Sequence, residues 1–378
     1  MNEDAYIEWF NKARRNGVVE DAVRAYYTDS GVPLYRAETG DGSVVLPLTT
    51  QTAWQDADKA HIREEVQQMQ SDYDEDVIDK RLRWIAAQSN ETVDSFSEGM
   101  HNGTTLRPLK ITQSERKIVV GRRDYLTQLA NHERSVQEIG EALWESNVQP
   151  DAHRTRLDSI VPTLPLPRRD NIGGTLSSIL DSLPEQCGYF GVHAATVVNT
   201  GGHYEVLSVG RAADALAYPQ RTGTVPSGNI EPRETDAIER QMLLEEFVEE
   251  VMVTDWEDAD NTESRAMEAF HKARQDGRIR LSLTSMQLGL VGPDLTMNGV
   301  IIVDNPDFYE NHIKNNIAQC LEHAAVRSRP VADAEQHDSF MRNKNVPAVH
   351  RAAQHEALCY LDIHSDIDVP QYGRSMTD

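Results

Sequence analysis

The stretch from Tyr189 to Val251 constrains this chain most. Tyr189 to Val198 is rich in β-branched and small apolar residues and reads as a strand. Asn199-Thr200-Gly201-Gly202 supplies a turn, and Tyr204 to Val209 a second strand ending at Gly210-Arg211, so the pair predicts a β-hairpin. Thr222 to Val225 is a further short strand. A glycine-containing loop, Pro226 to Glu234, then enters a strongly helical run from Asp236 to Val251. Later strands are expected at Met286 to Val291 and Gly299 to Val303, and a last helix at Ala348 to Leu361 after Pro347. Strand, strand, loop, helix, strands, helix is the order of an α+β sandwich.

The preceding residues are polar and helix-rich. Tyr6, Phe10 and Ala13 share one helical face, and Asn16-Gly17 reads as its stop. Helices are expected over Val19 to Tyr27, Asp58 to Gln70, Glu75 to Gln88 and Tyr125 to Trp144, with strands at Ser43 to Leu48 and Ile118 to Val120. Arg116, Lys117, Arg122 and Arg123 form a basic cluster that suits a solvated face better than an anion contact. Pro162, Pro165 and Pro167 precede Gly173-Gly174, the pattern of a linker, so a division near residue 170 is expected. It separates a helix-rich N-terminal domain, 1–170, from an α+β domain, 171–378.

At 378 residues there is room for two ordinary domains. Apolar runs such as Gly299 to Val303 are far shorter than the roughly 18 residues that span a bilayer. The opening Met1-Asn2-Glu3-Asp4 lacks the basic start and apolar core of a secretory signal, so the expected location is the cytoplasm. Cys187, Cys320 and Cys359 are far apart without a C-x-x-C pair, which argues against a zinc site or a disulfide framework.

The net charge is −24, with eight lysines against 29 arginines, and the acids are spread along the whole chain. Dispersed acid with scarce lysine suits a protein working in concentrated salt, where self-repulsion is screened, and predicts a halophilic source. Such a surface repels nucleic-acid backbones, so a nucleotide ligand needs a basic patch or a bridging cation.

Chemistry concentrates in Glu245-Glu246-Phe247-Val248-Glu249-Glu250. On one continuous helix, Glu246, Glu249 and Glu250 lie at i, i+3 and i+4 and share a face, where like charges repel. A hard divalent cation offsets that repulsion, since Mg²⁺ prefers carboxylate oxygens. These six residues alone are better described as a solvated acidic face.

The upstream loop adds weight. Gly228 and Glu234, followed by Glu246, Phe247, Glu249 and Glu250, resemble the Nudix hydrolase signature G-x5-E-x7-R-E-U-x-E-E-x-G-U, with U a bulky apolar residue. The resemblance covers roughly residues 185 to 365. It implies a Nudix-like α/β/α sandwich with a mixed sheet. It also implies Mg²⁺ or Mn²⁺ held by Glu246, Glu249 and Glu250, with Glu249 or a later Glu as the base. Gly228 would let the backbone turn sharply before the helix, with Gly228, Glu234 and Arg211 on the substrate side and Arg211 as a phosphate contact.

Three departures stand out. Ten residues separate Glu234 from Glu245 where the family has seven, Glu245 stands at the family's Arg, and Met252 replaces the final Gly. Arg240 or Arg233 could compensate for that Arg.

The expected function is a metal-dependent hydrolase cleaving a pyrophosphate bond in a nucleoside diphosphate-linked small molecule. The alternative is a catalytically impaired Nudix-like nucleotide sensor or regulatory module. A homo-oligomer is compatible with either, a membrane with neither. His350 and His355 form no H-E-x-x-H pair and read as structural or exposed.

Overall fold

The structure is a computed structural model that describes residues 3–51, 54, 61–65, 69–71, 73–89, 102–212, 220–230, 238–252, 259–320 and 323–377. In chain order, α1 (Glu3–Arg15) and α2 (Val18–Asp29) precede β1 (Tyr35–Thr39), β2 (Gly42–Leu46), β3 (Leu48–Gln51) and β4 (His61–Glu64). Then come α3 (Glu75–Ser89), β5 (Thr104–Thr112), β6 (Lys117–Asp124) and α4 (Tyr125–Glu145). The short helices α5 (Arg154–Ile160), α6 (Pro167–Ile172) and α7 (Leu176–Gln186) lead into β7 (Phe190–Asn199), β8 (Tyr204–Arg211), β9 (Thr222–Gly223) and β10 (Ser227–Asn229). The rest comprises α8 (Ile238–Phe247), α9 (Ala259–Gln275), β11 (Ile279–Gly289), β12 (Asp294–Val303), α10 (Pro306–His312), β13 (His323–Pro330), α11 (Ala334–Arg342), α12 (Ala348–His364) and β14 (Arg374–Met376).

The fold is α+β with a mixed sheet. The main sheet runs β13-β8-β7-β12-β11-β3, with β10 added to β7 and β9 to β8. Among the described residues of this sheet, only β7 and β12 pair in parallel, from Phe190 opposite Leu295 to Val198 opposite Val303. All ten residues of β12 are buried, as a strand covered on both faces requires. His193, Ala195 and Val197 alternate toward α12, whose Ala357, Leu358 and Leu361 share a cluster with Ala195 and Val197. Val192, Ala194 and Val198 face the opposite layer, with Leu243 and Phe247 of α8. Two further three-stranded sheets are β14-β1-β2 and β4-β6-β5.

Several sequence expectations are met. Gly17, at φ 71°, separates α1 from α2 in a conformation that suits glycine. Others need correction. Within the helix expected over Asp58 to Gln70, His61–Glu64 forms β4 and pairs in parallel with β6, and residues 58–60 and 66–68 lie outside the described residues. Non-local pairing has overridden local helical preference there.

The Pro-Gly stretch expected as a linker is helical and packed. Arg169 is fully buried and donates to the carbonyls of Leu290, Val291 and Ser135. Near the expected boundary at residue 170 the two segments interlock: β3 joins the main sheet on β11, and one buried cluster extends from Tyr6 to Ile317. The basic cluster also divides. Arg122 pairs with Glu64, while buried Arg123 donates to Cys187 O and Gly188 O.

His350 and His355, expected as structural or exposed, are both buried. His355 Nδ1 lies 3.0 Å from His337 Nε2, and its Nε2 lies 3.1 Å from Gly373 O. Next to it in sequence, Glu356 is fully buried and meets Arg374 at 2.7 Å. Burial pushes the Glu356 carboxyl up to about 7 in spite of Arg374. A carboxyl raised on folding adds stability below its unfolded value and loses it as pH climbs through the folded one. Glu356→Gln is therefore expected to match the parent near pH 4 and to be more stable than it at pH 8 by about 3 kcal/mol, read as a higher melting temperature. Equal pH dependence of the two melting curves would refute this.

The charge of −24 carries a second prediction. The Debye length shrinks from about 10 Å at 0.1 M salt to about 3 Å at 1 M, so melting temperature should rise with KCl. A flat or falling curve counts against a salt-adapted surface.

Candidate active site

The candidate site forms where β10 leaves the sheet. Ser227, Gly228 and Asn229 lie opposite His193, Val192 and Gly191 of β7. A Cβ on Gly191 would stand 2.4 Å from Gly228 O, so this approach requires a glycine. A Cβ on Gly228 would stand 2.0 Å from the carboxyl carbon of Glu246. Gly228 was expected to supply a sharp turn. It sits instead in a short strand, without the positive φ of a tight turn, and its bare Cα makes room for the Glu246 carboxylate.

The acidic helix differs from expectation in one respect. α8 ends at Phe247, and Val248–Met252 forms a π-helical turn. Glu246 thus belongs to the α-helix and Glu249 and Glu250 to the π turn, so the spacing of one continuous α-helix does not run through the three. Glu250 is buried and reaches back to the strand, its Oε2 accepting the Ser227 N–H at 2.9 Å. Arg211, at the end of β8, places its guanidinium 3.6 Å from Glu250 Oε1. The residue expected to contact phosphate therefore faces a site carboxylate, with both side chains about nine-tenths buried. Glu245, Glu246 and Glu249 are partly buried. Glu234 lies outside the described residues, as do Arg233 and the side chain of Arg240.

Glu246 and Glu250 are thus set over neighbouring residues of one strand. An all-carboxylate donor set suits a hard divalent cation. Among the described residues, no group of three or more His, Cys, Asp or Glu side chains already stands in a metal-holding arrangement.

Other residues fix the strand. Pro226 O accepts from Ala194 N–H, and Ile230 N–H donates to Phe190 O. Ile230 O accepts from Leu106 N–H of β5 at 2.9 Å, and Asn229 Oδ1 from Gln128 Nε2 of α4 at 2.6 Å. The first 170 residues therefore supply part of the support for the Gly228 strand. On the other side, His350 of α12 meets Thr224 and His193. Sequence reasoning missed His193 and Gln128. The one signal for His193 is an ionisable residue at an inward position of a strand with no other. Gln128 carries none, because its partner is 101 residues away.

No protein-family model matches this chain, and no curated protein matches it significantly.

Proposed function

We propose that this chain is a metal-dependent hydrolase that cleaves a pyrophosphate bond in a nucleoside diphosphate-linked small molecule in the cytoplasm. The observation that carries the reading is the convergence of Glu246 and Glu250, from one helical segment, on the Ser227-Gly228 strand. The Nudix resemblance rests on these same residues, and no helix among the described residues is long and apolar enough to cross a membrane.

Glu246, Glu249 and Glu250 would hold Mg²⁺ or Mn²⁺. When bound, the ion neutralises diphosphate charge and makes an attacking water easier to deprotonate. Glu249, partly accessible in the π turn, takes the proton. Arg211 holds Glu250 in orientation, and Gly228 borders the substrate, a role the Nudix resemblance also implies for Glu234. The sensor reading draws on Glu245 at the family's Arg, which places one more acid beside the carboxylates.

The test is a panel of nucleoside diphosphates linked to sugars or nucleosides, followed by ³¹P NMR with and without Mg²⁺ or Mn²⁺. Turnover that requires the ion and stops with chelator is expected. Tight binding without turnover selects the sensor, and neither binding nor turnover refutes both.

A further inference from the structure

The Thr222–Ser227 segment is gripped at two points. At its end, Ser227 N–H donates to Glu250. Three residues earlier, the Thr224 N–H donates to His350 Nδ1 at 3.2 Å, and Thr224 Oγ1 lies 2.9 Å from the same nitrogen. The His350 ring also lies close against the chain, since a Cβ on Gly223 would stand 3.2 Å from its Cε1. Behind it, His193 Nδ1 lies 3.1 Å from His350 Nδ1, with the two rings edge to face at 4.4 Å. His193 in turn lies opposite Ser227 in the sheet register. The chain of contacts therefore closes on itself, from Glu250 through Ser227 and His193 to His350 and Thr224.

The hydrogen-bond roles follow from this geometry. A nitrogen that accepts the Thr224 N–H carries no proton, so His350 is neutral with its proton on Nε2, and its ring is backed edge to face by His193. Burial, with Arg211 and Arg221 nearby, disfavours a charged imidazole at His350. Burial and Arg211 do the same at His193.

We propose that neutral His350, held by His193, is a positioning residue that sets Thr222–Ser227 where Ser227 and Gly228 meet Glu250 and Glu246. This rests on the reading of the Gly228 strand and its carboxylates as the reaction site. Both histidines lie outside the acidic motif, and His350 comes from a helix on the opposite face of the sheet from α8. Misplacing a reacting geometry by even about 1 Å costs large factors in rate, so the second grip should act on turnover more than on substrate affinity.

The experiment uses the full chain and two substitutions. His350→Phe keeps ring volume and removes the acceptor. His350→Asn restores an acceptor oxygen near the position of Nδ1. Amide hydrogen exchange is read over residues 222–229 and 190–199, and Mn²⁺ affinity, kcat and KM are measured with a nucleoside diphosphate-linked substrate.

His350→Phe should speed exchange at 222–229 and leave 190–199 protected. It should lower kcat by about tenfold or more, with KM nearly unchanged. His350→Asn should recover most of both. Unchanged exchange at 222–229 in His350→Phe, or an Asn variant no better than Phe, overturns the proposal. If the parent protein cleaves nothing on the panel, the hydrolase reading fails, while the exchange comparison still decides whether His350 positions the segment.

Discussion

Glu20→Ala is expected to destabilise the protein by about 3 to 5 kcal/mol, the cost of stranding buried charge. Glu20 lies on α2, and both of its oxygens meet cations from the other half of the chain. Arg221 reaches Oε1 at 3.0 Å, and Arg351 of α12 reaches Oε2 at 2.7 Å. All three side chains are more than nine-tenths buried. Removing the carboxylate leaves two guanidinium groups facing each other out of water, so melting temperature should fall by several degrees.

Burial alone would raise the Glu20 carboxyl, but Arg221, Arg351 and Lys344 more than offset this and hold it below its ordinary value of 4.5. A depressed carboxyl contributes stability above its unfolded value, and that contribution is lost as pH falls through the folded one. The gap between parent and Glu20→Ala should therefore be full at pH 7 and narrow below 4.5. Replacing Glu20, Arg221 and Arg351 together with methionine should recover much of the loss, because the costly element is the unpaired charge. A single-variant loss under about 1 kcal/mol at pH 7 would show that water reaches the cluster and screens it.

That cluster also shows what the sequence could not convey. The α1 face of Tyr6, Phe10 and Ala13, the β7-β8 hairpin and α12 were legible because each carries its own period or turn. β4 was not, because His61–Glu64 is a strand only through its parallel pairing with β6. β13 was missed for a related reason: it pairs with β8 and leaves Ala324, Ala325 and Arg327 exposed, so no inward alternation marks it.

In the candidate site, the motif spacing brought out Gly228, Glu246 and Glu250. It did not reveal the π turn or the partners of that strand. Gln128, His193 and His350 act across long sequence separations, and no local pattern encodes such a contact. The expected linker failed similarly, since Pro165 and Pro167 are equally at home where a new helix begins, as α6 does at Pro167.

Glu249→Gln and Glu250→Gln are each expected to lower turnover by about a hundredfold or more, the usual scale for losing a catalytic acid–base group. Their effects on stability should separate. Glu249 shares the π turn with Glu250, and making it neutral relieves repulsion among neighbouring acids by a few tenths of a kcal/mol. Its melting temperature without metal should hold or rise slightly. Glu250 has a second task, because its carboxylate faces Arg211 and accepts from Ser227 N–H. Glutamine can keep the backbone bond but cannot balance the guanidinium, so Glu250→Gln should lose about 1 to 3 kcal/mol. Glu246→Gln should reduce activity while preserving the fold, since an amide is nearly the same size as the carboxylate against Gly228. Glu245→Arg restores the charge of the family's residue beside these acids, and a gain in turnover would support the alignment. Full turnover in both Glu249→Gln and Glu250→Gln, on a substrate that the parent cleaves, would place the reaction away from the Gly228 strand.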